Sequence, residues 1–245
     1  LIARKSQSAA PVKDYSCSII VPCRNEAGNI ENIVRRIPNI GKSTEIIFVD
    51  GESSDNTVQK IEEMIINNKG IKDIKLIHQK PATGKADAVR KGFSAANGEI
   101  LMILDADITV QPEDLTKFYL ALAEGRAEFA NGTRLVYPLE KDSMRILNIF
   151  GNKAFSILLS YILGQRVKDT LCGTKVLFKK DYDKIVQHRD FFGGRLDPFG
   201  DFELLFGAAK LNLKILEVPV RYKERVYGYT KIRRFKHGMI LLRMS

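Results

Sequence analysis

Apolar positions along the chain switch repeatedly between strand-like runs and helical spacing. Ser18 to Val21 is a short β-branched run closed by Pro22, and Ile30, Ile33, Val34 and Ile37 then recur at helical spacing across Asn29 to Ile37. The unit returns as a run from Glu45 to Val49 ending in Asp50, before a helix over Asn56 to Asn67 for which Ser54 or Asp55 can serve as N-cap. A third strand spans Ile74 to His78, a helix follows over Gly84 to Asn97, and the fourth strand is the unbroken apolar run from Ile100 to Leu104. Strands alternating with helices of ten or more residues predict βαβ crossovers and a largely parallel sheet. The strand ends Pro22, Asp50 and Asp105 then emerge on one edge, the edge at which open α/β sheets bind ligands.

The second half is less regular. It holds a strand over Glu128 to Asn131, an alternating strand from Cys172 to Phe178, a helix over Phe202 to Leu211, and a strand from Ile215 to Val220. Leu147 to Leu163 reads as an amphipathic helix, either packed on the core or laid on a membrane surface. A basic tail runs from Arg225 to Arg234. Leu1 to Lys13 is polar, basic and aperiodic, a linker, and 239–245 reads as the start of a helix cut short, which leaves one α/β domain over 14–238.

Length and charge narrow the partners. The 245 residues are enough for one α/β domain with a small annex, and the net charge of +10 favours anionic partners: nucleic acid, nucleotide diphosphates or acidic headgroups. The three cysteines contain no Cys-x-x-Cys pair and point to a reducing compartment. No uncharged apolar stretch of 18 residues and no signal-peptide core is present, so the expectation is a cytoplasmic domain. His78, His188 and His237 are too scattered for a metal cluster.

The chemistry concentrates where the fourth strand ends. Asp105 and Asp107 lie at i and i+2, and on an extended segment both carboxylates would point the same way, toward one hard cation such as Mg2+ or Mn2+. Gly84-Lys85 is not a Walker loop, since glycine is absent at Gln79 and Ser or Thr at Ala86. Lys85 is thus a cation of the ligand edge or a solvated helix charge. Asp201 precedes an apolar helix, a preferred N-cap position for Asp.

Val21-Pro22-Cys23-Arg24-Asn25-Glu26, Val49-Asp50-Gly51-Glu52-Ser53-Ser54-Asp55, Gly84-Lys85, Asp105-Ala106-Asp107, Gly200-Asp201-Phe202-Glu203 and Arg225-Val226-Tyr227-Gly228-Tyr229-Thr230-Lys231 occur in that order. Together they resemble the family 2 glycosyltransferases of GT-A fold, and most of all the polyprenyl-phosphate, dolichyl-phosphate mannose synthase-like branch. The resemblance implies a Rossmann-like, mostly parallel sheet flanked by helices with an acceptor-side annex. It implies inverting, metal-dependent transfer of a sugar from a UDP- or GDP-linked donor to polyprenyl phosphate or another glycan acceptor. Pro22, Arg24, Glu26, Asp50, Lys85, Asp105, Ala106, Arg134, Thr230 and Lys231 would contact the donor, and Asp105 and Asp107 would hold the metal. Asp201 and Arg225 would act at the reaction centre. Gly51 replaces a second acid common in the family, and Thr109 replaces a frequent glutamine.

Two other readings compete. Asp105-Ala106-Asp107-Ile108-Thr109 also satisfies the Asp-x-Asp-x-Thr nucleophile motif of haloacid-dehalogenase-type phosphatases, although three strand units precede it here. The basic charge alone would suit a non-catalytic module for anionic membrane or nucleic acid. The reading adopted is the transferase, held peripherally at the inner face of a membrane by its basic tail and amphipathic helix, without a nucleic-acid partner.

Overall fold

The computed structural model describes residues 12–134, 136, 156–161, 164, 167–188, 200–225 and 227. The first half follows the hydrophobic pattern: β1 (Ser16–Cys23), α1 (Ala27–Arg36), β2 (Ser43–Asp50), α2 (Thr57–Asn67), β3 (Asp73–His78), α3 (Lys85–Ala95) and β4 (Ile100–Ile103). These four strands are parallel. β1 pairs β2 from Ser16 opposite Ser43 to Cys23 opposite Asp50, and pairs β4 from Cys17 opposite Ile100 to Ile20 opposite Ile103. After a short 3-10 turn come α4 (Leu115–Ala123), β5 (Phe129–Thr133), α5 (helical at 156–161), β6 (Lys175–Phe178), α6 (Lys179–Gln187), α7 (Asp201–Lys210) and β7 (Ile215–Pro219). The sheet order is β3-β2-β1-β4-β6-β5-β7, with β6 antiparallel to both neighbours.

The unbroken apolar run of β4 is explained by cover on both faces. Ile100, Met102 and Leu104 join Ile19, Val21 and Phe48 beneath Ile30 and Ile33 of α1 and Phe118 and Leu122 of α4. Leu101 and Ile103 join Ile20, Ile47 and Val49 beneath Val89 and Phe93 of α3 and Leu204, Leu205 and Ala208 of α7. Each such side chain stabilises the fold by roughly 1.5–3 kcal/mol through burial.

The two edges of the sheet differ. At the N-terminal edge, Glu45 accepts hydrogen bonds from the Ser18 hydroxyl, the Lys75 ammonium and the Asn97 N–H, the last at 2.6 Å. One carboxylate thus ties β1, β2, β3 and the turn into β4. The C-terminal edge sets Cys23 opposite Asp50 and carries Asp105 just past β4.

Several expectations are corrected in detail. Asn56, not Ser54 or Asp55, is the cap residue of α2, while the Asp55 carboxylate accepts the Thr57 N–H at 3.0 Å. Gly200, with φ of 76°, caps α7, so Asp201 is the first helical residue rather than the cap. The apolar pattern left α4 and α6 unmarked. α4 buries Leu115, Phe118, Tyr119, Ala121, Leu122 and Ala123, nearly all round, and α6 has only Tyr182 and Ile185 as buried apolar anchors, so neither shows a clean apolar stripe. Of the Leu147 to Leu163 span, 156–161 is helical; 147–155, 162 and 163 lie outside the described residues. So do 1–11 of the linker and the whole of 228–245, including Thr230, Lys231 and the C-terminal helix start. By Lys13, whose N–H donates to the Ala123 carbonyl at 3.2 Å, the chain is already packed on α4.

Candidate active site

The β1–α1 and β2–α2 loops are fastened to each other at the sheet's C-terminal edge. The register sets Cys23 opposite Asp50, and Asn25, at φ of 54°, turns the first loop so that its N–H donates to Ser53 Oγ at 2.9 Å. The Ser54 N–H donates to Asn25 Oδ1 at 2.7 Å, and the Glu26 N–H to Thr57 Oγ1 at 2.9 Å. Asp50 is buried and accepts the Ser53 hydroxyl at 2.5 Å and the Ser53 N–H at 3.2 Å. Pro22 is half-buried at the end of β1, Arg24 is exposed on the loop, and buried Glu26 accepts from Asn29 Nδ2 at 2.9 Å.

Past β4 the chain does not stay extended. The Ile108 N–H donates to the Asp105 carbonyl at 3.3 Å, Ile108 has a φ of 54°, and Asp107 Oδ1 accepts the Thr109 N–H at 3.1 Å and hydroxyl at 2.8 Å. The expectation of an extended Asp-x-Asp is therefore corrected to a turn, closed by Thr109 through the short side chain of Asp107. Ala106 is buried within it. Lys85, the first residue of α3, places its ammonium 2.5 Å from Asp105 Oδ1. Arg225 places its guanidinium 2.5 Å from Asp107 Oδ2 and 3.3 Å from Glu26 Oε1.

These charges shape one another. Burial pushes the Asp105 carboxyl up, but Lys85, with Lys175 and Arg134 behind it, outweighs burial and holds it below the ordinary carboxylate range. Burial likewise pushes the Lys85 ammonium down, and Asp105, Asp201 and Asp107 outweigh it, so Lys85 stays charged well beyond neutral pH. Both carboxylates of the turn and Asp201 act on that one cation.

The segment after β7 folds back over the site. The Val220 N–H donates to the Thr133 carbonyl at 3.0 Å and the Lys223 N–H to the Thr109 carbonyl at 2.9 Å, which carries Arg225 to Asp107 and Glu26. The Tyr227 ring then lies over Gly28 at the start of α1.

Behind Asp105 sits a second polar layer that the sequence pattern did not flag. Lys175, fully buried on β6, donates to the Cys172 carbonyl at 2.5 Å and to Asp201 Oδ1 at 3.0 Å. Arg134 grips the buried Asp169 through two bonds, Nε to Oδ2 at 2.6 Å and a terminal nitrogen to Oδ1 at 2.8 Å, and stacks 5.1 Å above the Tyr222 ring. Gly173 brings backbone against the ion pair, since a Cβ there would collide with the Asp105 carboxylate and the Lys85 ammonium. A lysine inside an alternating apolar strand was the available signal for Lys175; Asp169, Gly173 and Gln79 carry none at the level of pattern.

The structure thus brings together Glu26, Lys85, Asp105, Asp107, Asp201 and Arg225, with Pro22, Arg24 and Asp50 on the adjoining loops. Arg134 is paired with Asp169 and acts through its charge on Asp105. Among the described residues no group of three or more His, Cys, Asp or Glu could hold a metal by itself. Two carboxylates suit Mg2+ or Mn2+, which take the remaining oxygens from substrate phosphate and water.

An open sheet with this order and this charged C-terminal edge defines a domain of GT-A fold. Among solved structures, glucosyl-3-phosphoglycerate synthase from Mycobacterium tuberculosis, in complex with Mn2+, UDP and glucosyl-3-phosphoglycerate, superposes with a TM-score of 0.68 at 17% identity, covering 100% of this chain and 86% of that one. A mannosyltransferase from Pyrobaculum calidifontis, in complex with GDP-Man and Mn2+, superposes with a TM-score of 0.58 at 16% identity, covering 93% and 62%. The sequence model of glycosyl transferase family 2 matches residues 18–186, and the chain belongs to that family. A dolichol-phosphate mannosyltransferase from Pyrococcus furiosus is 29% identical over 224 residues, which are 88% of this chain and 59% of that relative. The haloacid-dehalogenase reading falls with the fold and family: Asp105 follows the fourth strand of the chain, not the first.

Proposed function

We propose that the chain transfers a sugar, with inversion, from a nucleoside diphosphate donor to a polyprenyl phosphate. The observation that carries this reading is the edge constellation, in which Asp105 and Asp107 sit between Lys85 and Arg225 on a family 2 fold. The names of the relatives, dolichol-phosphate mannosyltransferase and dolichyl-phosphate beta-glucosyltransferase, support the acceptor class. The neighbours bound to UDP or GDP-Man support the donor class.

The donor lies across the ends of β1, β2 and β4, its diphosphate toward Lys85 and Arg225. Mg2+ or Mn2+, held by Asp105 and Asp107, supplies charge neutralisation to that diphosphate when bound. An acceptor phosphate oxygen attacks the anomeric carbon from the side opposite the diphosphate. The carbon–oxygen bond to the leaving group breaks as the new one forms, and the charge that develops on the leaving oxygen is met by Lys85 and Arg225. Inversion follows from a single displacement, with no carboxylate assigned as an intervening nucleophile. A phosphate acceptor is already anionic and needs no base, so Asp201, held by Lys175 at 3.0 Å, orients the acceptor rather than deprotonating it. The net charge of +10, with Ile157 and Tyr161 exposed on α5, supports a peripheral position at the inner face of a membrane.

The test is incubation with UDP-glucose or GDP-mannose and Mn2+, offering polyprenyl phosphate in one arm and the free polyprenol in the other. The reading predicts sugar on the phosphate alone, with the anomeric configuration opposite to the donor's by NMR. Transfer to the free alcohol, or retained configuration, contradicts it.

A further inference from the structure

Gln79 stands one residue past β3 with its side chain buried, and its amide is clamped in one orientation. Nε2 donates to Thr83 Oγ1 at 3.2 Å, to the Gly84 carbonyl at 2.9 Å and to Asp87 Oδ2 at 2.8 Å. Turning the amide over would set its oxygen against a carbonyl and a carboxylate, so the network assigns nitrogen to this side. The oxygen Oε1 is thereby aimed at Gly51, where a Cβ would lie 3.2 Å from it. The backbone fixes the same juxtaposition, since the Gln79 N–H donates to the Asp50 carbonyl at 2.8 Å and the Gly51 N–H to the Cys23 carbonyl at 2.9 Å.

Beside this oxygen the acceptors already engaged are the Glu52 carboxylate, which takes the Ala82 N–H at 3.0 Å, and the Cys23 carbonyl, which takes the Gly51 N–H. The Asp50 carboxylate accepts from the Ser53 N–H and hydroxyl, and Gly51 has no side chain. We infer that Gln79 Oε1 is the hydrogen-bond acceptor that reads the base of the donor nucleotide and sets its preference for uridine; the inference rests on the donor reading above. A single neutral acceptor suits a base with one ring N–H flanked by carbonyls, which is uracil. Guanine presents a ring N–H and an exocyclic NH2 side by side. A carboxylate at position 51 would take both, and one carbonyl leaves a buried donor unpaired, which a polar site rejects strongly.

The test is titration of UDP, GDP and inorganic pyrophosphate, each with Mn2+, into the wild-type chain and the variants Gln79→Met and Gly51→Ala. Pyrophosphate has no base and reports the diphosphate end alone. The inference predicts that the wild type binds UDP more tightly than GDP. It predicts that Gln79→Met weakens UDP by ~5- to 10-fold while pyrophosphate is unchanged. Gly51→Ala presses on Oε1 without removing a bond of the Gln79 clamp, and should weaken UDP in the same sense, which keeps the test open if Gln79→Met does not fold. Equal loss of UDP and pyrophosphate, unchanged UDP in both variants, or a wild-type preference for GDP overturns the inference while leaving the donor site standing. A wild type that binds none of the three overturns the donor reading and the inference together.

Discussion

Glu45 and Asp105 are carboxylates at opposite edges of the same sheet, and their partners decide what each can do. Burial pushes the Glu45 carboxyl up, but hydrogen bonds from Lys75, Ser18 and the Asn97 N–H outweigh it and hold it below its ordinary value of about 4.5. A folded value below the unfolded one gives stability that is fully present above about pH 4.5 and is lost as pH falls through the folded value. Glu45→Gln should therefore cost ~1–2 kcal/mol at pH 7, with the gap to wild type closing in acid. Urea denaturation at pH 7 and pH 3.5 checks this, and a gap that stays constant contradicts it. At the other edge, Gly173 leaves room for the Lys85–Asp105 pair. Gly173→Ala should push that pair apart and weaken Mn2+-dependent nucleotide binding by more than ~10-fold; equal affinity would show that the contact at Gly173 yields without consequence.

β1, β2 and β4 were legible because strands covered on both faces carry runs of adjacent apolar residues, and their ends named the edge where Asp105 and Asp107 lie; the edge strand β3 is only half-buried and carries a mixed pattern. What the pattern could not reveal depends on contacts distant in the chain. The turn at Ile108 is set by the Asp107–Thr109 hydrogen bonds, and the antiparallel direction of β6 is set by pairing with β4 and β5. Lys175 becomes a partner of Asp201 only through α7, 26 residues away. Arg134 was expected at the sugar or phosphate, and its side chain is held by Asp169 across 35 residues. The two side-chain bonds between Arg134, just past β5, and Asp169, in the loop leading to β6, tie these segments together, and Asp169 is completely buried. Asp169→Asn leaves a buried guanidinium without its counter-charge, at an expected cost of ~3 kcal/mol. Thermal and urea unfolding measure it, and a loss under ~0.5 kcal/mol would mean that the Tyr222 stack and backbone carry Arg134 unaided.

Across the whole molecule, the N-terminal edge is closed by Glu45 and the C-terminal edge carries the charges. The segment from Val220 to Arg225 crosses the Asp107 turn and reaches Glu26 in the β1–α1 loop, so this edge joins residues 199 positions apart. Membership of glycosyl transferase family 2 covers 18–186, yet Asp201 and Arg225 lie beyond that match and reach the site only through the fold. In the function proposed for this chain, Asp105 and Asp107 make this edge a metal-assisted site for a nucleoside diphosphate. Its most direct test is calorimetric titration of UDP with and without Mn2+ into the wild-type chain and Asp107→Asn, a variant that keeps an acceptor for Thr109 and removes the charge. Binding is expected to need Mn2+ in the wild type and to weaken by at least ~10-fold in the variant. Nucleotide binding that is indifferent to both the metal and the substitution would contradict it.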